Sequence, residues 1–373
     1  MRVLLDPQVF LLGHCGLLKY YSYLYQALKE EGIEIYTPVI YSITPSFSKK
    51  YYPFPALLPA VTEKLTGLAI KKLTRRRFYW EVAKKNYDVL FITSDQNETG
   101  FLKYNGKKPF VMTIHDTMIG VNGKNMYLDP QNQYSLQMGY LAHHARQIIS
   151  ISNHTTEDLI NRFLIEPEKI NTIYHTHFLP DEADSVEHLP ERYVLFVGNR
   201  NGRKNFLGWV DAVAPFLNMN GKLKVLVTGK LTEYEQFFLE KMGVYQHFKA
   251  FENITDSQLN FLYRHAICLV YPSLYEGFGL PVLEAMANGC PVITTRRSSI
   301  PEVAGDAAIY ADPDSTEDFV QAILRIARDQ ATSERLIKAG FMQAASFSWQ
   351  ETARQTIRAY EQAAEEGLAH DRS

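Results

Sequence analysis

Short apolar runs alternate with helical patterns along the whole chain. VLL near Arg2–Asp6 reads as a strand, and LLKYYSYLYQALKEEG, apolar at helical spacing and closed by Gly32, reads as an amphipathic helix. IEIYTPVI, DVLFITS, KPFVMTIHD and ARQIISIS are further buried-strand runs, and SNHTTEDLINRF is a helix capped by Ser152 or Asn153. The second half repeats this grammar. YVLFVG, LKVLVTG, ICLVYPS and PVITT are strands, with helices in NFLGWVDAVAPFL, EYEQFFLEKMG and PVLEAMANG. Strands alternating with helices predict parallel sheets covered on both faces. Two such series predict an α/β protein of two doubly wound, Rossmann-like domains. The acidic, proline-containing FLPDEADSVEHLPER joins them. The expected layout is a first domain over 1–180, a linker over 181–192, a second domain over 193–348 and a terminal helix over 349–373 that crosses back to the first domain. Ligands of such sheets lie beyond the carboxyl ends of the strands. Candidate chemistry is therefore expected just after strands, at Gly16, His115, Arg200, Lys204 and Glu276.

A length of 373 residues agrees with two domains at ~100–200 residues each. The net charge of -2 conceals an asymmetry: 20 Lys and Arg against 15 Asp and Glu in residues 1–180, and 19 against 26 thereafter. A basic first half suits an anionic surface such as phospholipid. Nucleic acid is not expected as a partner, because no nucleic-acid motif accompanies the charge. Three scattered cysteines, Cys15, Cys268 and Cys290, fit a reducing compartment better than disulfides or zinc. The opening MRVLLDPQVF places an acid and a proline too early for a signal peptide. No run approaches the ~20 apolar residues of a membrane span. The expected location is the cytoplasm, with peripheral attachment to the inner membrane surface.

YEGFGLPVLE holds two carboxylates, Glu276 and Glu284, around two glycines. Pro281 suits a first helical turn and Gly289 a helix end. Gly277, Phe278 and Gly279 then form the turn entering a helix, where backbone N–H groups and a partial positive charge suit phosphate. The glutamates do not share a face by i,i+4 spacing; they read either as two acceptors for one extended ligand or as a solvent-exposed Glu276 and a helix-N-terminal Glu284 that favours the dipole. With its flanks, YPSLYEGFGLPVLEAMANGCPVITTRRSSIPEVAGDAAIYADPDS closely resembles the signature region of retaining glycosyltransferases of family 4, which have the two-domain GT-B architecture. That resemblance implies that Glu276 contacts hydroxyls of a donor sugar and Glu284 the ribose of its nucleotide. It implies that Gly277, Phe278, Gly279 and Leu280 belong to the donor-binding turn.

Three further stretches acquire meaning from the same resemblance. In VGNRNGRKNF, Arg200 and Lys204 match the family's diphosphate-binding cations, with Arg203 a spare cation in the loop. Cations so placed would stabilise a departing diphosphate. In TIHD, His115 matches a histidine beside the donor sugar, with a positioning duty rather than that of a general base. In FLLGHCGLLKYY the family has a Gly-Gly pair that leaves room for the donor; this chain has Cys15-Gly16, with Gly13 nearby.

KLTGLAIKKLTRRRFYWEVAKK carries eight cations, among them Lys71, Lys72, Arg75, Arg76 and Arg77, against Glu81 as its one acid. It reads either as a basic amphipathic surface for anionic lipid and a lipid-linked acceptor or as a solvated surface helix. DPD at Asp312–Asp314 mimics a metal motif but sits before a helix capped by Ser315 or Thr316. The resemblance implies neither metal nor other cofactor. It implies a nucleotide-sugar donor and a saccharide or lipid-linked acceptor. The subfamily likeness is to hexosyltransferases, many of them mannosyltransferases, of lipopolysaccharide or surface-polysaccharide synthesis. A catalytically silent sugar-nucleotide-binding or scaffold protein, and a GT-B nucleotide-sugar epimerase, remain the alternatives.

Overall fold

The computed structural model describes residues 1–11, 16–39, 63–93, 99–117, 133–180, 182–200, 202–219 and 221–372. In the first half these are β1 (Arg2–Leu5), α1 (Gly16–Glu30), β2 (Glu34–Tyr36), α2 (Glu63–Lys84), β3 (Val89–Ile92), α3 (Leu102–Asn105), β4 (Phe110–Ile114), α4 (Gln133–His144), β5 (Gln147–Ser150), α5 (Asn153–Phe163) and β6 (Ile170–Thr172). The second half holds β7 (Tyr193–Phe196), α6 (Phe206–Met219), β8 (Lys224–Thr228), α7 (Glu233–Lys241), β9 (Phe248–Phe251) and α8 (Asp256–His265). It continues through β10 (Cys268–Tyr271), α9 (Leu280–Ala287), β11 (Val292–Thr294), α10 (Ile300–Ala304), β12 (Ala308–Tyr310), α11 (Thr316–Arg328), α12 (Gln330–Ala344) and α13 (Trp349–Arg372).

Among the described residues two six-stranded sheets form, and every strand pairing is parallel. The inner strands β3, β4, β5, β7 and β10 are buried at every residue. Helices on both faces leave no solvated side, so the apolar runs do not alternate. β6, β9 and β12, which the apolar pattern did not announce, are short and half-buried at every position. All three lie at sheet edges, β6 in the first sheet and β9 and β12 at opposite sides of the second.

The sheets differ in strand order. The first runs β2-β1-β3-β4-β5-β6 and the second β12-β11-β10-β7-β8-β9. The second is the dinucleotide-binding order, in which the chain reverses direction across the sheet between β7 and β10. A crevice opens there because the connections leave to opposite sides. The loops after β7 and β10 carry Lys204 and Glu276.

The last helix, α13, leaves the second half and packs on α1, β4 and β5. Its Ala353, Ala359, Tyr360 and Ala363 join the core built from Tyr20, Tyr21, Leu24 and Phe91. The helix α2 faces inward through Thr74, Phe78 and Val82, at i, i+4 and i+8. Lys71, Lys72, Arg75, Arg76 and Arg77 are exposed, as are Leu73 and Trp80. From Lys71 onward its apolar residues divide between that inward face and the exposed one. The outward face mixes cations with Leu73 and Trp80, and Lys84 Nζ sits 3.1 Å from the Trp80 ring centre. Among the described residues, no helix is long and apolar enough to cross a membrane.

Candidate functional site

The turn between β10 and α9 is set by two glycines for different reasons. Gly279 has φ +116°, a left-handed backbone that side chains resist. At Gly277 a Cβ would collide with the His115 carbonyl, so the first half presses directly on the turn. Phe278 anchors the turn from below: its ring stacks on His175 at 4.2 Å and meets Phe347 edge-on at 5.8 Å. Leu280 opens α9 and packs against the cores of both halves.

Glu276 and Lys204 meet here. Lys204 Nζ lies 2.6 Å from Glu276 Oε1, and it also donates to the Tyr271 hydroxyl. Both charged side chains are buried. Burial pulls the Lys204 ammonium below its ordinary pKa, and Glu276 pulls it back up. Burial and the nearby Glu276 charge push the Tyr271 hydroxyl well above its ordinary value. Such a pair is costly to leave without further polar partners.

Glu284 lies one turn into α9 and accepts a hydrogen bond from the Tyr263 hydroxyl at 3.1 Å. Burial raises its carboxyl pKa to about 7. His115 is half-buried behind the turn, with Nε2 3.2 Å from the Tyr21 hydroxyl and its ring edge-on to Tyr20 at 4.8 Å. Burial, helped by His175, lowers its pKa to about 3, so the imidazole is neutral at ordinary pH. Gly16 begins α1, with nothing described within 4 Å of where a side chain would stand. Cys15 and Gly13 lie outside the described residues.

Arg200 is not brought to this cluster. Its guanidinium bonds Glu235 through Nε at 2.9 Å and Nη2 at 3.3 Å, and the Thr228 and Lys230 carbonyls at 2.6 and 2.5 Å. Glu235 is itself half of the capping box of α7, so Arg200 ties the loop after β7 to that helix. The arginine that reaches the cleft is Arg203, whose Nη1 lies 3.3 Å from Asp116 of the first half. Burial opposes its charge, and the neighbouring Glu276 and Asp116 outweigh that effect. The resemblance to the family pointed to Arg200; the single helical turn Gly202–Lys204 instead carries Arg203 beside Lys204. Adjacency of Arg203 to Lys204 was the signal that could have found it.

Sequence reasoning also passed over the contacts that join the halves at the site. Tyr275 donates to Asp158 at 3.0 Å and lies 3.0 Å from the Thr117 hydroxyl. Glu302 accepts from the amides of Asn153 and His154, at 2.7 and 2.9 Å, and from the Tyr174 hydroxyl at 2.9 Å. It thereby occupies the N-terminus of α5, where backbone donors and the helix dipole favour a carboxylate. Lys19 and Asp256 pair at 2.5 Å. In the second half, Ser315 caps α11 by accepting from Asp318 N, and Asp312 accepts from Asp314 N, so DPD is a helix-entry turn.

Two parallel sheets facing each other, with charges gathered at the switch point of the second, define a GT-B architecture. Comparison with known proteins agrees. The chain aligns with sucrose-phosphate synthase from Thermosynechococcus elongatus at a TM-score of 0.74, with 19% identity, over 97% of this chain and 98% of that one. The model for glycosyl transferases group 1 matches residues 180–343, and that for glycosyltransferase family 4 matches residues 16–176. The chain belongs to this glycosyltransferase family. It is 31% identical to O-antigen chain mannosyltransferase B of Escherichia coli over 58% of this chain and 60% of that protein. It is 29% identical to O-antigen chain mannosyltransferase RfbU of Salmonella typhimurium over 48% of this chain and 51% of that one. It thus spans only about half to three-fifths of the length of these relatives.

Proposed function

We propose that the chain is a retaining hexosyltransferase that works without a metal or other cofactor. Its donor is a nucleotide-diphosphate sugar, with GDP-mannose favoured. Its acceptor is a saccharide or lipid-linked saccharide in lipopolysaccharide or other surface-polysaccharide synthesis. The observation that carries this reading is the buried Lys204–Glu276 pair beside the glycine turn, at the crevice where the second sheet reverses. The mannosyltransferase names of the relatives support the choice of sugar and pathway class.

In this reading the anomeric C–O bond to the diphosphate breaks and its electron pair leaves on the phosphate oxygen. Lys204, Arg203 and the turn amides stabilise that charge, in a site where water is excluded and fixed dipoles act strongly. The acceptor hydroxyl oxygen attacks from the same face, and its proton passes to the departing phosphate oxygen. Glu276 accepts from hydroxyls of the sugar and Glu284 from those of the ribose. Neutral His115 positions the sugar and supplies no base. Gly16 leaves room at the start of α1. Arg200 serves the loop rather than the ligand.

The exposed cations of α2 face anionic lipid on the cytoplasmic side of the inner membrane and keep the enzyme near a lipid-linked acceptor. Incubation with a panel of nucleotide sugars, with and without acceptors, should release nucleoside diphosphate from one of them. Release from none overturns the transferase reading. Neutralising Arg75, Arg76 and Arg77 together should reduce flotation with phosphatidylglycerol vesicles; unchanged flotation removes the membrane proposal.

A further inference from the structure

Ser298 and Ser299 hold the backbone of the glycine turn from the loop after β11. Ser299 is fully buried, and its hydroxyl lies 2.9 Å from the Glu276 carbonyl and 2.8 Å from the Phe278 carbonyl. A serine hydroxyl has one proton, so it is shared between the two acceptors. The Ser298 hydroxyl accepts from the Glu276 N–H at 2.8 Å. Ser298 does so from a left-handed backbone, φ +48°, which a non-glycine residue seldom adopts. Backbone strain of this kind persists only where its surroundings enforce it.

The two carbonyls matter because of what is bonded to them. A trans peptide points its N–H opposite to its C=O, and none of the described peptides is cis. The Glu276 carbonyl shares its peptide with Gly277 N–H, and the Phe278 carbonyl shares its own with Gly279 N–H. Drawing both carbonyls toward Ser299 therefore turns both N–H groups away from it. Neither N–H has an acceptor among the described residues. The segment facing the turn from the other half is His115–Asp116, against which Gly277 is packed. One buried hydroxyl thus sets the direction of two unpaired donors on the cleft side.

We infer that Ser299, backed by Ser298, is a positioning residue that aims the Gly277 and Gly279 amides at the diphosphate–sugar end of the donor. This rests on the proposed donor and goes beyond it by assigning the orientation of the amides to a residue outside the turn. Ser299 touches no substrate. Without its hydroxyl the two carbonyls lose their shared partner, and the peptide planes can rotate.

The test is titration of wild type, S299A and S298A with GDP, GMP, UDP and UMP, with the unfolding temperature recorded for each variant. The wild type should prefer one nucleoside diphosphate to its monophosphate. S299A should lose about tenfold on the diphosphate and leave the monophosphate unchanged, so the ratio collapses. S299C, close in size and a weak donor, should fall between. S298A, at a partly exposed position, should fold in any case and show a smaller loss of the same kind. Equal losses on mono- and diphosphate indicate general damage to the domain and overturn the inference. So do unchanged affinities in both alanine variants. A wild type that binds neither diphosphate overturns the donor reading, and this inference with it.

Discussion

Beyond β7 and β10 the chain buries an ammonium and two carboxylates, Lys204, Glu276 and Glu284. Beyond β4, in the other sheet, it packs a half-buried, neutral imidazole, His115, among tyrosine rings. Both sheets are parallel and six-stranded, so the contrast does not come from architecture. On the proposed function it comes from which crevice must hold charge. A diphosphate needs cations and amide donors in fixed places. A sugar and an acceptor need polar groups that do not compete for the proton. Helix-covered sheets supply the same rigid ledge for both, and the loops decide the chemistry.

The comparison breaks first if charge in the second crevice does not matter. Lys204→Ala should lower kcat by about 10²–10³-fold, measured as nucleoside diphosphate release. It also leaves Glu276 without its ion pair. A loss confined to KM would mean that the charge serves only binding. Gly277→Ala should come next. Its methyl group would strike the His115 carbonyl and hold the halves apart at the turn. A loss of about 10²-fold in kcat/KM is expected, together with a lower unfolding temperature, because the clash is with backbone.

The two arginines of one loop sharpen the contrast. Arg203→Ala should cost about 10-fold or more in kcat with little effect on stability. Arg200→Ala should do the reverse. It leaves Glu235 buried without its partner, and removing one member of a buried pair costs about 3–5 kcal/mol. Turnover of the folded fraction should stay near wild type. Differential scanning calorimetry alongside steady-state kinetics separates the two. If Arg200→Ala proves the catalytically damaged variant, the diphosphate does not lie beside Arg203.

The arginines also show where sequence reasoning stops. The alternation of strands and helices was legible because inner strands of a parallel sheet are apolar at every position. VLFI, YVLF and CLVY have no other use for such runs. INT, FKAF and AIY were not legible, because a half-buried strand of three or four residues has no periodicity to detect. Strand order was not legible either, and the switch point between β7 and β10 emerges only from pairing. Glu276, Glu284 and Lys204 were singled out because the stretches around them resemble the family's signature; position after a strand alone left a structural reading open for each. Ser299, Asp158 and Glu302 were missed because each acts on a segment 20 to 150 residues away, and no local spacing records such a contact. Arg200 was chosen over Arg203 by a match of motif positions, which cannot see that Glu235 and the Thr228 and Lys230 carbonyls hold Arg200 away from the cleft.

Smaller effects follow from protonation. Glu284 titrates near 7 because burial penalises its charge. If the ionised form accepts from ribose hydroxyls, nucleotide affinity should rise as pH passes upward through 7. In Glu284→Gln the affinity should be weaker and flat over the same range. Isothermal titration at several pH values reads both, and a wild-type curve that is already flat would remove the ionised carboxylate from binding.

The same groups set opposing slopes in stability. His115 and His175 are held to about 3 and about 4 by burial, below the ordinary 6.5. An unfolded chain takes up those two protons near 6.5 and the folded chain does not, so stability falls as pH drops below that value. Glu284 works the other way. Folded, it keeps a proton that the unfolded chain releases near 4.5, so stability falls as pH rises from about 4.5 to about 7. Each proton of difference contributes about 1.4 kcal/mol per pH unit. His175→Phe keeps an aromatic ring on Phe278 and removes one titrating group. It should flatten the acid loss of stability between pH 6.5 and 4. Glu284→Gln removes the counter-slope and should steepen that loss between pH 7 and 4.5. Urea unfolding at a series of pH values measures both. Parallel slopes in the two variants would mean that the neutral crevice and the charged one do not differ in the way their buried groups bind protons.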